Sequence, residues 1–335
     1  MIKKYTDLKN EPFLLKPAGI EKLWGGTRLN DDFSKNLDIE NLAESWECST
    51  HPDGQSIVGS GAFKGLTLSE AISENSELLG EKIKGQSDLP ILVKLIDARQ
   101  NLSVQVHPND EQARKLENEK NGKMEVWYVL DAYKNSKLVY GLNYDISKED
   151  LKKSIEDKSI EKYLQKVSVS KNDIFFIKPG TIHAIGAGIL LAEIQQNSNI
   201  TYRLYDYDRT DKKGNKRELH IDKALEVANL ERTNIPKQPM RVLKYRRGCA
   251  SELLCRCQYF QVERLLVNTE RTRSLYETAS TDQSFEIYLC INGCGVIYYE
   301  PNHVLMVFKG DTVFVPANSV NFKIHGKIEF LKVSC

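Results

Sequence analysis

LPILVKLIDA at residues 89–98 and NLSVQVHP at residues 101–108 decide how this chain is read. Both are short apolar runs of strand character, ended by a polar or Pro-containing break. The same unit recurs outward along the chain. MEVWYVLDA (124–132), KLVYGL (137–142), DIFFIKPG (173–180), GILLAEIQQ (188–196) and ITYRLYDYD (200–208) are rich in Val, Ile, Tyr, Phe and Trp. Gly, Pro, Asn and Asp separate them. Many short strands of this kind imply a sandwich or barrel.

Helical patterns are few. Leu151, Ile155, Ile160 and Leu164 predict one or two surface helices over about 147–166. Leu219, Ala224, Leu225 and Val227 predict another over about 218–230. Thr67 to Glu74 reads as a short helix opened by a Thr or Ser cap. The fold class expected is therefore mainly β with a few peripheral helices.

A chain of 335 residues suits about two domains. ANLERTNIPKQPMRV (228–242) carries two prolines and no clear period, which divides the chain into 1–240 and 241–335. The two parts share a weak echo. NDIFFIKPGTIHAIG (172–186) is matched by GDTVFVPANSVNF (310–322), and MEVWYVLDA by FEIYLCING (285–293). His183 has no histidine counterpart, because Asn318 and Ser319 stand in that region. The second part is expected to lack metal ligands.

Lys plus Arg (47) nearly balances Asp plus Glu (46), so no basic footprint for nucleic acid is present. The apolar stretch Ile185 to Ile194 falls far short of the roughly 20 residues of a spanning helix. The N-terminal residues contain no apolar h-region, so no signal peptide is expected. Seven cysteines, an odd number, suit reduced thiols in a cytoplasm. Their spacing does not form a zinc knuckle, and they read as small buried apolar residues.

Chemistry concentrates in three strands. In LSVQVHP, Leu102, Val104 and Val106 face one way, while Ser103, Gln105 and His107 face the other. In GKMEVWYVLDA, Glu125 shares a face with Trp127 and Val129, and Lys123 precedes it by two residues. A carboxylate among large apolar residues is costly unless it is paired or bound to a metal. A Pro-Gly turn places His183 at the start of a strand, and Glu193 lies in a second apolar run ten residues later. Gln105, His107, Glu125 and His183 form a nitrogen and oxygen donor set suited to zinc or a similar divalent ion. His51, His220, His303 and His325 read as ordinary structural or surface residues.

WGG (24–26), AESWE (43–47), LSVQVHP, GKMEVWYVLDA, PGTIHAIGAG (179–188) and EIQQNSNITYRLYDYDR (193–209) together resemble the type I mannose-6-phosphate isomerases in their shorter bacterial form. The resemblance covers about residues 10–235 and weakens after residue 240. It implies two cupin-type jelly-roll barrels, with one Zn²⁺ per chain held by Gln105, His107, Glu125 and His183. It also implies Arg203 as the active-site arginine, Lys123 and Ser103 as substrate contacts, and Glu193 as a pocket glutamate. The implied reaction interconverts mannose 6-phosphate and fructose 6-phosphate through an enediol. Longer members of the family carry a histidine where this chain has Gly122, so that histidine cannot serve as a base here. Glu193, Lys123 and water on the metal remain as candidate bases. Ser103 is the candidate phosphate contact with motif support, beside basic residues such as Lys94 or Arg99. Two other readings are an isomerase of another hexose phosphate, such as glucose 6-phosphate, and a non-catalytic metal-binding sugar-phosphate sensor. The expected partner is a small-molecule sugar phosphate, with no nucleic acid and no membrane, and the chain is expected as a monomer or a homodimer.

Overall fold

In the computed structural model, residues 10–86, 88–210, 213–271, 274–299 and 303–335 are described. The fold is mainly β, built from three sheets and a few short helices. A six-stranded sheet runs in the order Ile174–Ile177, Glu125–Ala132, Ile189–Gln196, Ile91–Ala98, Ala18–Gly26, Leu42–Cys48. A five-stranded sheet runs in the order Tyr202–Tyr205, Val104–Val106, His183–Ala184, Lys137–Leu142, Leu164–Ser168. A ten-stranded sheet holds the strands from Lys244 onward. It also takes in Phe13–Lys16, which pairs with Thr312–Val315, and Ile57–Val58 beyond it. No helix among the described residues is long and apolar enough to cross a membrane.

Alternation along the strand Glu125–Ala132 explains how the layers stack. Val126, Tyr128 and Leu130 face a core shared with Ile287, Phe314 and Val333 of the second unit. Trp127 and Val129 face the opposite way, toward Ile96, Ile185 and Leu191 inside the first unit. Val104 and Val106 point outward under the helical cover, packing near Leu151, Ile155 and Leu225. Their neighbours Ser103, Gln105 and His107 are thereby turned into the first unit.

The helical expectations need correction at their ends. Over 147–166 the helix spans only Lys148–Glu156, capped by the Ser147 hydroxyl, and a 3-10 turn follows at Ile160–Lys162. Lys158 has φ +62°, a left-handed conformation that a helix cannot continue through. Leu164 then enters a strand opposite Leu142. Over 218–230 the helix spans Ile221–Val227. His220 is held out of it because its N–H donates to the Arg203 carbonyl (2.8 Å) and its Nδ1 accepts from the Arg203 N–H (3.1 Å). At the other end, Asn229 N–H donates to the Gly180 carbonyl, drawing the chain away. The Thr67 helix forms with a full capping box to Glu70. A helix at Asp110–Glu117, opened by a second capping box between Asn109 and Gln112, was not expected from the sequence.

Candidate active site

The site lies between the five- and six-stranded sheets of the first unit. His183 and Arg203 stand on either side of Gln105 as direct cross-strand partners. Directly opposed residues point to the same face, so all three side chains share the inner side. Glu125 opens the facing strand of the other sheet.

His107, Glu125 and His183 are buried, and one ligating atom from each falls within 4.8 Å of the others. His107 Nε2 is 3.3 Å from Glu125 Oε1, and His183 Nε2 is 3.7 Å from Glu125 Oε2. Both imidazoles have their tautomer fixed from behind. The Nδ1–H of His107 donates to the Ile200 carbonyl and that of His183 to the Thr181 carbonyl, each at 2.8 Å. A carbonyl can only accept, so Nδ1 carries the proton and Nε2 presents its lone pair. Neither Nε2, nor Glu125 Oε2, has a hydrogen-bond partner. Glu125 Oε1 does make an ion-pair contact with Lys123 Nζ at 2.7 Å. Buried polar atoms left open together on one small volume fit a divalent cation, and neutral imidazoles plus a carboxylate are its natural donors.

The charge states agree with that fit. Burial, then the nearby Lys123 ammonium, push His107 down to about 3. Burial also lowers His183. Burial alone would raise Glu125, but the adjacent Lys123 ammonium outweighs it and holds the carboxyl well below its ordinary range.

A cavity of about 290 Å³ opens beside this cluster, with Ser103, Gln105, Lys123, Glu193 and Arg203 in its wall. The Arg203 Nε–H donates to Ser103 Oγ (3.3 Å), and its Nη1 donates to the Glu218 carbonyl (2.8 Å). Glu193 is buried opposite both Lys94 and Trp127 in the sheet register. Its Oε2 accepts from Trp127 Nε1 (2.8 Å), and its Oε1 is 3.4 Å from Lys94 Nζ. Burial, with the Glu125 carboxylate next, raises the Glu193 pKa against the pull of Lys94 and Lys123. Burial would lower Lys123, but Glu125 and Glu193 outweigh it and raise its pKa, so it stands as a cation.

The structure thus gathers Ser103, Gln105, His107, Lys123, Glu125, His183, Glu193 and Arg203 into one region. Of the two basic residues named beside Ser103, Lys94 is in the cavity wall and Arg99 is exposed outside it. Lys22, Glu44 and Arg217 also line the cavity and were missed. Glu44 accepts from Trp46 Nε1 (2.8 Å) and faces Lys94 at 3.5 Å. Its motif AESWE was the available signal, since a second glutamate among apolar residues invites the question of its partner. Arg217 carries no such signal. Its Nε–H donates to Asp206 Oδ2 at 2.7 Å, a contact made across an irregular loop.

The family model for the phosphomannose isomerase type I catalytic domain matches residues 13–167, and that for the mannose-6-phosphate isomerase cupin domain matches residues 251–335. The mannose-6-phosphate isomerase ManA of Bacillus subtilis is 38% identical over 322 residues, covering 96% of this chain and 98% of the relative. This chain belongs to the type I mannose-6-phosphate isomerase family. It is an enzyme of that class. The crystal structure of the mannose 6-phosphate isomerase from Bacillus subtilis superposes with a TM-score of 0.87 at 34% identity, covering 97% of this chain and 99% of that one. A zinc-bound mannose 6-phosphate isomerase shares the fold at TM-score 0.75 and 16% identity, over 96% of this chain and 99% of that one. Both β units are therefore of the cupin type seen in the family.

Gly122, where the resemblance implies a departure from longer family members, is closely packed. A Cβ there would lie 2.4 Å from Asn109 C and 2.6 Å from both Asp110 N and Pro108 O. These are backbone atoms that cannot swing aside. The departure is built into the path of the chain, not left as an open gap.

Proposed function

We propose that the chain interconverts mannose 6-phosphate and fructose 6-phosphate through an enediol, with one zinc ion held by Gln105, His107, Glu125 and His183. The observation that carries this is the convergence of the two unpaired Nε2 atoms on the Glu125 carboxylate at the edge of the cavity. When bound, the ion supplies Lewis-acid polarisation of sugar oxygens.

The chain's own residues supply the rest. Glu193 moves the proton between C1 and C2. It is a buried carboxylate fixed by Trp127, with a pKa shifted upward toward the range useful to a base. One carboxylate can take the proton from one carbon and return it to the next. Arg203 offsets the negative charge that grows on oxygen as carbon is deprotonated, and it cannot itself act as the base. Lys123 contacts the substrate as a cation. Ser103 accepts from Arg203, which leaves its own O–H as a donor to a phosphate oxygen. Lys22, Arg203 and Arg217 give that part of the cavity a positive character suited to a dianion. All seven cysteines are free thiols, which supports a reducing compartment such as the cytoplasm.

A coupled assay offering mannose 6-phosphate and glucose 6-phosphate to the metal-loaded protein tests the proposal. Turnover of the first, well above the second, is expected. Arg203→Ala should keep its metal and lose about 10²–10³ in kcat. Preference for glucose 6-phosphate would move the substrate assignment. Absence of any isomerisation would favour the sensor reading.

A further inference from the structure

We infer that Tyr259, at a hairpin tip of the second unit, is a positioning residue for Lys123 in the active site of the first, acting through Asp110. The Cys257 N–H donates to the Phe260 carbonyl, closing a tight turn between the strands Cys249–Arg256 and Gln261–Asn268. Tyr259 projects from that turn, and its Oη donates to Asp110 Oδ2 at 2.7 Å. Asp110 is the first residue of the helix Asp110–Glu117. Its other oxygen, Oδ1, accepts from the Gly122 N–H (2.8 Å) and from Gln196 Nε2 (2.9 Å).

The next two amides are held as well. The Lys123 N–H donates to the Pro108 carbonyl (3.0 Å), and the Met124 N–H donates to Gln196 Oε1 (3.0 Å). Three consecutive backbone donors are thus fixed around the lysine, one of them directly on Asp110 and one through Gln196, which also bonds Asp110. The stretch from Asn118 to Met124 has no helix or strand to hold it otherwise. The Tyr259 hydroxyl is the contact that fixes the outer oxygen of Asp110. A hydrogen bond to a carboxylate is among the stronger kinds. Without it the carboxylate is freer to rotate, and the Gly122–Met124 backbone loses its set position. Misplacing a reacting group by about 1 Å can cost roughly 10²-fold in rate.

The inference rests on the reading of Lys123 as a substrate contact, and the test separates the two. Tyr259→Phe in the full-length, metal-loaded chain keeps the ring and removes the donor. It should lower kcat roughly five- to twentyfold. Part of the loss should also appear as a raised KM for mannose 6-phosphate, because Lys123 is read as a substrate contact. Metal content should be unchanged. Amide hydrogen exchange should quicken at residues 122–124 and stay the same through the strands of the second unit. An unchanged exchange rate at 122–124 overturns the inference, as does faster exchange spread evenly over the second unit. Lys123→Ala is measured beside it. If that variant keeps full kcat, the reading of Lys123 fails, and the exchange data alone decide whether Tyr259 positions its backbone. If Lys123→Ala loses turnover while Tyr259→Phe keeps full kcat, the positioning role is wrong.

Discussion

Glu125 and Glu286 open equivalent strands in the two units, and their fates differ. Each is followed two residues later by a large aromatic, Trp127 or Tyr288, and each pairs with the end of the strand that precedes a proline turn. Glu125 lies opposite Ile177, and Glu286 lies opposite Val315. Around Glu125 the turn delivers His183, and a neighbouring strand delivers His107. Around Glu286 the partners come from the unit's own structure. Tyr288 Oη donates to its Oε2 (2.8 Å), and Lys332 Nζ lies 3.1 Å from its Oε1. The second turn carries Asn318 and Ser319, whose backbone N–H groups donate to Thr281 O and Ser280 Oγ. Beside it packs an apolar cluster in which Tyr288, Phe322 and Phe330 are fully buried. A carboxylate at the same place in a duplicated scaffold is structural when each of its oxygens finds a protein donor. It becomes a binding group when buried partners are left open.

This contrast breaks if interior carboxylates of the first unit prove as replaceable as Glu286. Glu193→Gln should lower kcat by about 10²–10⁴, the span of a general base. The sign of its pH dependence follows from the environment. Burial favours the neutral acid, so the group ionises above the ordinary glutamate value of 4.5. A base works only when ionised. Activity of the intact enzyme should therefore fall as pH falls through that raised value, and this acid limb should vanish from the residual activity of Glu193→Gln. A pH–rate profile of both proteins checks it.

A smaller effect is expected at Gly122. Gly122→Ala forces a methyl against the Pro108–Asp110 backbone, and overpacking of that kind costs about 1–3 kcal/mol. Chemical denaturation would read the loss, and turnover should drop with it because Lys123 is next in the chain. The smallest effect belongs to Glu286→Gln. It should leave metal content and kcat unchanged and cost about 1 kcal/mol in stability, as for a partly exposed pair with one added hydrogen bond. A loss of metal in that variant would erase the distinction between the units.

Much of the site was legible because it follows strand alternation. Ser103, Gln105 and His107 on one face, and Glu125 with Trp127 on another, need only a period of two. The lysine and glutamate networks were less so. Lys94, Glu44 and Glu193 meet because three strands distant in sequence lie side by side, and sheet order is not written in any local pattern. The pairing of Phe13–Lys16 with Thr312–Val315 is hidden for the same reason, since nearly the whole chain separates the two. The helix at Asp110–Glu117 escaped because only its Ala113 is buried, which leaves little apolar stripe to read; its capping box was the usable signal. The false helix beyond Glu156 had an apolar spacing that was real, but Leu164 spends it on a strand.

Elemental analysis coupled to the isomerase assay, before and after chelation, tests the central claim most directly, with His183→Ala measured in parallel. The intact chain should carry about one divalent ion, lose both ion and activity to the chelator, and regain both when the metal is returned. His183→Ala should bind no ion, turn over at background, and keep the second unit folded. Full activity in a metal-free chain, or a full complement of metal with normal turnover in His183→Ala, would contradict the account.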